Sequence, residues 1–140
     1  MRNPRLYFGV LISRAMLRAH PQTLFVFGDN LQRRGLGGQA AEMRGQPNAV
    51  GLPTKREPST LPRAYLRDAD LPLVQAAAAP DIARLRRHLA GGGNVVWPSA
   101  GIGTGRADLA RRAPAIARWY TSVLVELKRL AALTRSPLST

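Results

Sequence analysis

Lys55 closes the segment Gly51-Leu-Pro-Thr-Lys55 and is one of only two lysines among 21 basic residues; the other nineteen are arginine. The two side chains differ chemically. A guanidinium stays charged at any working pH, whereas a desolvated amine can lose its proton and act as a nucleophile or base. A lysine kept in a turn of an arginine-rich chain is therefore a candidate catalytic amine. The alternative is a chance survivor in a solvated turn. Thr54, its neighbour, joins the candidate ligand contacts.

Two glycine-rich segments accompany it. The first runs Gly28-Asp-Asn-Leu-Gln-Arg-Arg-Gly-Leu-Gly-Gly38. Asp29 and Asn30 stand where an apolar run ends, and their side chains offer directional hydrogen bonds to a polar ligand. Gly35, Gly37 and Gly38 allow close backbone approach before a helix start, an arrangement that favours anions. The competing reading is turn chemistry alone. The second segment is Pro98-Ser-Ala-Gly101-Ile-Gly103-Thr-Gly105. Gly101, Gly103 and Gly105 alternate with Ile102 and Thr104, a pattern that can form a backbone nest for phosphate. Ser99 and Thr104 add hydroxyls. The segment is neither a Walker loop nor a dinucleotide G-x-G-x-x-G.

Elements must bring these segments together. The 140 residues suit one domain, placed at 1–135 with a flexible tail at 136–140. Leu6–Ile12 reads as a first strand, with Ser13 capping a short helix through Arg18. Leu24–Phe27 reads as a buried strand, and a helix follows Gly38 through Arg44. Asn48–Leu52 reads as a third strand stopped by Pro53. Residues 54–79, with three prolines, read as a long loop that could cover a site. Pro80 is expected to start a helix with Ile82, Leu85 and Leu89 on one face. A fourth strand covers Asn94–Trp97, and a last helix begins at Pro114 with the apolar stripe Ile116, Tyr120, Val123, Leu124, Leu127 and Leu130. This alternation predicts an α/β fold: a compact three-layer, Rossmann-like domain with a small mixed sheet. Ligands in such folds sit at the C-terminal ends of strands, where the unusual segments fall.

Composition narrows the chemistry. The chain has no cysteine, which excludes disulfides, thiolate metal sites and Cys nucleophiles. His20 and His88 are its only histidines, so no metal site or cofactor is expected. No apolar stretch approaches a membrane span. Arg14 and Arg18 interrupt the N-terminal apolar run, so no signal peptide is expected and a cytoplasmic location is the reading. A net charge of +13 points to a polyanionic partner such as nucleic acid, or else reflects an arginine- and alanine-biased composition. The sequence assigns no oligomeric state. Trp97 is a candidate platform for a purine, Trp119 and Tyr120 read as core, and Glu57 and Asp68 are candidate general acids.

Three segments together resemble a known family. Val26-Phe-Gly-Asp-Asn30 followed by Gly35-Leu-Gly-Gly-Gln-Ala-Ala41 resembles the macro-domain pattern of a strand ending in Asn and a Gly-x-Gly-x-Ala helix start. Leu52-Pro-Thr-Lys55 resembles the Phe-Pro-Thr-Lys segment of the DNA ADP-ribosyl glycohydrolase antitoxins. Trp97–Gly105 resembles the loop that wraps the diphosphate of ADP-ribose. The matches occur in the family's order over about residues 24 to 118. The resemblance implies a macro-like fold that binds ADP-ribose or a related nucleotide. Asn30 would contact the distal ribose, Gly37 and Gly38 would line it, Lys55 would be the catalytic amine, and residues 101–105 would hold the diphosphate. The chain departs from the pattern at Gly105, where lysine-using relatives often carry an acid. Rival readings are a binding module without catalysis, a Rossmann-like nucleotide phosphoribohydrolase and a plain nucleic-acid-binding protein.

Overall fold

The computed structural model describes residues 5–133, so the expected tail lies outside the described residues. The chain runs β1 (Leu6–Gly9), α1 (Arg14–Ala19), β2 (Leu24–Asn30), α2 (Ala40–Met43), β3 (Ala49–Lys55), α3 (Leu71–Ala90), β4 (Val95–Pro98), α4 (Leu109–Arg112) and α5 (Pro114–Leu133). Two short 3-10 turns, Pro62–Ala64 and Asp68–Asp70, lie between β3 and α3.

The strands form one four-stranded sheet in the order β1-β4-β2-β3. Every pairing between them is parallel, so the sheet is not the mixed one expected. A helix after each of the first three strands returns the chain to the same end of the sheet, as parallel pairing requires. One antiparallel contact remains, an isolated bridge between Lys55 and Tyr65.

Side-chain alternation sets the layers. Leu24 and Val26 of β2, Val50 and Leu52 of β3, and Val95 and Trp97 of β4 face a large core with α3 and α5. Phe25 and Phe27 face the other way, into a smaller core with Leu17 of α1 and Ala40 and Met43 of α2. Both sheet faces are covered, giving the three-layer α/β domain expected. Of the stripes read from sequence, Ile82, Leu85 and Leu89 of α3 are buried, joined by Val74 and Ala78; on α5 Ile116, Tyr120, Val123 and Leu127 are buried, joined by Ala131, while Leu124 and Leu130 are partly buried.

Several boundaries differ for identifiable reasons. The first strand ends at Gly9 rather than Ile12, because the chain folds back so tightly that a Cβ on Gly9 would sit 2.8 Å from Ile12 Cγ1. Pro53 lies inside β3 instead of stopping it. β3 is an edge strand paired only with β2, and a residue without an N–H is tolerated there. Residues 54–79 are not one long loop. Lys55 still belongs to β3, Arg56 pairs with Asp70, Ala64 and Leu66 are fully buried, and α3 starts at Leu71 with Pro72 in its first turn. Pro80 is inside α3. It removes one helical N–H, but Ala76, whose carbonyl loses that donor, is exposed and can turn to water.

Tyr120 ties α5 to the edge strand. Its hydroxyl, 2.6 Å from the Pro53 carbonyl, donates to it. Burial raises the phenol's pKa above its ordinary value and keeps it a donor. Tyr120→Phe leaves the carbonyl unpaired in the core and is expected to cost about 1–2 kcal/mol. Urea denaturation measures it; an unchanged midpoint would show that this bond contributes nothing.

Candidate functional site

The C-terminal ends of the parallel strands lie side by side, so the loops after them follow sheet order rather than chain order. The loop after β1 comes first, then that after β4, then that after β2, and last Lys55 at the end of β3. Between them lies a cleft of about 470 Å³. The candidates of the three motif segments line it: Asp29, Asn30, Gly35, Gly37 and Gly38, then Thr54 and Lys55, then Ser99 and residues 101–105.

Their side chains are committed to different degrees. The Asp29 carboxylate is buried and accepts the Asn30 N–H at 2.8 Å. It also pairs with Arg44 and lies 3.6 Å from Arg33. Asn30 shapes its own loop: its side-chain oxygen accepts from the Gln32 N–H at 3.0 Å and its amide donates to the Arg34 carbonyl at 2.7 Å. One amide hydrogen and one lone pair remain for a ligand. Thr54 is buried, with its hydroxyl 3.2 Å from the Asp29 carbonyl. The helix after Gly38 is only four residues long, so it adds little dipole to the site.

The third loop is the anion-ready part. Gly101 and Gly103 have φ of +85° and +71°, and Ile102 between them does not share that hand. Such alternation turns successive N–H groups toward one point. Among the described residues, the backbone N–H groups of Ile102, Gly103, Thr104 and Gly105 have no hydrogen-bond partner. Gly103 admits no side chain, since a Cβ there would sit 2.3 Å from Leu109 Cδ1.

Lys55 is half-buried on the cleft wall. Its Nζ donates to the Ser59 carbonyl at 2.6 Å and lies 5.0 Å from the centre of the Tyr65 ring. Arg112 stacks on that ring as well, at 3.7 Å. Burial lowers the Lys55 pKa below that of an ordinary lysine, Arg106 and Arg112 lower it further, and Glu57 opposes them.

Arg34, Arg44 and Arg106 also line the cleft, and sequence reading passed over them. Arg34 and Arg106 each adjoin a motif glycine, which was the available signal. Arg44 gave none, because its place depends on Asp29 across the loop. Arg106 is exposed and has no hydrogen-bond or ion-pair partner among the described residues. With Asp29 already paired, the cleft presents net positive charge.

Other candidates fall elsewhere. Trp97 is 2% exposed, a core residue rather than a purine platform. Asp68 accepts from the Ala115 N–H at 2.9 Å at the start of α5. Glu57 accepts from the Ser59 hydroxyl at 2.7 Å and from Arg63 at 3.0 Å, contacts that hold its carboxyl below the ordinary range. It is thus ionised near neutral pH and carries no proton to donate. Asp108 pairs with Arg111 and lies outside the cleft lining. His20 is exposed, and His88 is half-buried with its ring against Gly93. Among the described residues, no cluster of three metal-ligating side chains occurs, and no helix is long and apolar enough to cross a membrane.

A family model described as a family of unknown function (DUF7831) matches residues 7–123. No curated protein and no solved structure matches the chain.

Two outcomes follow from this geometry. Asp29→Ala removes the carboxylate partner of Arg44 and one contact of Arg33, which keeps Asp81, and is expected to destabilise by about 2–3 kcal/mol. That is less than the roughly 3–5 kcal/mol of a fully buried pair, because water still reaches the arginines. Chemical denaturation decides, and a loss below about 0.5 kcal/mol would show the carboxylate to be dispensable. The Lys55 amine should titrate below an ordinary lysine by NMR. Arg106→Ala should raise its midpoint and Glu57→Gln should lower it; equal midpoints in all three proteins would refute the field described here.

Proposed function

We propose that this chain, which belongs to the family of unknown function DUF7831, binds ADP-ribose or a closely related nucleotide in the cleft. The observation that carries the reading is the sequence of chemistry along the sheet edge. An apolar lip follows β1, unpartnered N–H groups follow β4, Asn30 ends β2 ahead of the first glycine loop, and an amine ends β3. A base, a diphosphate, a distal sugar and the bond to be acted on would meet these groups in that order. The nest and Arg106 would take the diphosphate. The free positions of Asn30 would orient the distal ribose.

The lowered amine favours an enzymatic reading in which the protein releases ADP-ribose from a modified nucleic acid or protein. The neutral Lys55 nitrogen attacks the anomeric carbon of the distal ribose. The bond from that carbon to the target breaks, and its electron pair leaves with the target, which takes a proton from water in the open cleft. Water then displaces lysine from the sugar, the amine is regenerated and ADP-ribose is freed. The charge of +13 makes modified nucleic acid the first substrate to test. Pairing of Glu57 with Arg63 and of Asp68 with the Ala115 N–H favours the second reading, a binding module that lacks a general acid.

One set of assays separates these. Calorimetry with ADP-ribose should show binding that Arg106→Ala weakens by about tenfold, the loss of one charge-assisted contact. Lys55→Ala should keep binding and abolish release of ADP-ribose from modified DNA. Lys55→Arg should fail nearly as badly, since a guanidinium cannot lose its proton. Absence of binding would refute the ligand. Full activity in Lys55→Arg would refute the nucleophile, and binding without release by wild type would leave the binding module.

A further inference from the structure

The two ends of the cleft differ in what they can discriminate. The Lys55 end is walled by side chains with fixed donors and held partners. At the β1 end the wall is Val10, Ile12, Pro98, Ser99 and Ala100. Val10 is 77% exposed and the adjoining Leu11 is 83% exposed; Ser99 and Ala100 are exposed too. Two polar side chains of the cleft belong near this end: Ser99, and Gln39, whose neighbour Ala40 shares the smaller core with Ile12. Among the described residues neither side chain makes a hydrogen bond; a hydroxyl rotates and a carboxamide turns over to donate or accept as its neighbour demands.

Resting on the nucleotide reading above, we propose that this end holds the base by apolar contact and by polar groups free to donate or accept, so that the site accepts adenine and hypoxanthine nucleotides alike. Three strand spacings, about 14 Å, separate the β1 and β3 ends. With the diphosphate on the nest after β4 and the distal sugar toward Asn30 and Lys55, the base is left to the β1 lip. Adenine and hypoxanthine differ at position 6, an amine donor in one and a carbonyl acceptor in the other. A site tells such groups apart when the wrong one leaves a buried polar atom unpaired. Here the lip is open, so the edge at position 6 stays in water whichever group it bears. The Ser99 hydroxyl and the Gln39 carboxamide can each serve either group. The apolar lip contributes contact area to either ring equally, and the phosphates and sugar are identical in the two ligands.

Calorimetry on the wild-type protein tests this with three ligands: ADP-ribose, its hypoxanthine counterpart and ribose 5-diphosphate, which lacks the nucleoside. The expected result is a Kd for the first two within about threefold of each other and a Kd for the third weaker by about tenfold or more. A preference for ADP-ribose over its hypoxanthine counterpart of about tenfold or more overturns the inference and leaves the nucleotide reading standing. Ribose 5-diphosphate binding as tightly as ADP-ribose also overturns it, because the base then contributes no contact. If none of the three binds, the nucleotide reading falls and the inference falls with it.

Discussion

A buried carboxylate at the end of β2 sets the frame for the whole cleft. An ionised group taken out of water must be met by opposite charge and hydrogen bonds or it destabilises the fold. Asp29 is met by Arg44, Arg33 and the Asn30 N–H. Each partner then fixes something further. Arg44 also donates to the Gly35 carbonyl at 2.7 Å, holding the first glycine loop against the sheet. Arg33 reaches the Gly51 carbonyl at 2.6 Å and Asp81 of α3 at 2.8 Å, and it holds a left-handed φ of 56° that an unbranched side chain rarely adopts without such support. Gly51 itself is required by the same group, because a Cβ there would sit 2.6 Å from the Asp29 carboxylate. One acid thus ties β2, β3, α3 and the first loop into a single rigid wall.

The opposite wall depends on packing rather than charge. Leu109, fully buried at the start of α4, sits under Gly103 so closely that only glycine fits. The Gly103 carbonyl accepts the Leu109 N–H at 2.9 Å, which leaves the loop's own N–H groups on the other side of the backbone free. Gly28 lies between the walls, with Thr54 on one side and the Gly103 nitrogen 3.7 Å from where its Cβ would be. A charged wall, an apolar-backed nest and a glycine floor converge on one space. Since the only carboxylate among the described residues that line it is neutralised, the arginines and Lys55 dominate its field.

Much of this was legible in residue order. The strand-to-helix alternation, the continuous apolar run Leu24–Phe27 and the stripes of α3 and α5 are local signals, and they specify the layers. The three loops could be placed on one sheet edge because parallel strands share a direction. What the sequence could not show depends on partners far apart along the chain. Pro53 reads as a stop until the strand proves to be an edge. Pro80 reads as a helix start because local rules cannot see that Val74 and Ala78 continue the apolar face of Ile82 backward into the core. Asp29 and Asn30 read as free ligand groups, yet their main bonds go to their own loops and to Arg44, which no spacing rule connects to them.

The order of strands also decides how the charges in the cleft act on the amine. Anionic phosphates near Lys55 would favour its protonated form and suppress its nucleophilicity. The nest follows β4 and Lys55 ends β3, but the loop after β4 reaches across β2: a Cβ on Gly28 would lie 3.3 Å from the Thr54 hydroxyl and 3.7 Å from the Gly103 nitrogen. Arg106, beside the nest, is one of the groups that lower the Lys55 pKa, with Arg112 stacked on Tyr65. An anion that engaged Arg106 would cancel part of that field. In an open, water-filled cleft one charge pair is worth about 0.4 kcal/mol at 10 Å and about 1 kcal/mol at 4 Å. Burial of the β3 end, the largest cause of the lowered pKa, does not depend on the anion. The same chain can therefore hold an anion with its third loop while desolvation still lowers the pKa of the amine that ends its edge strand.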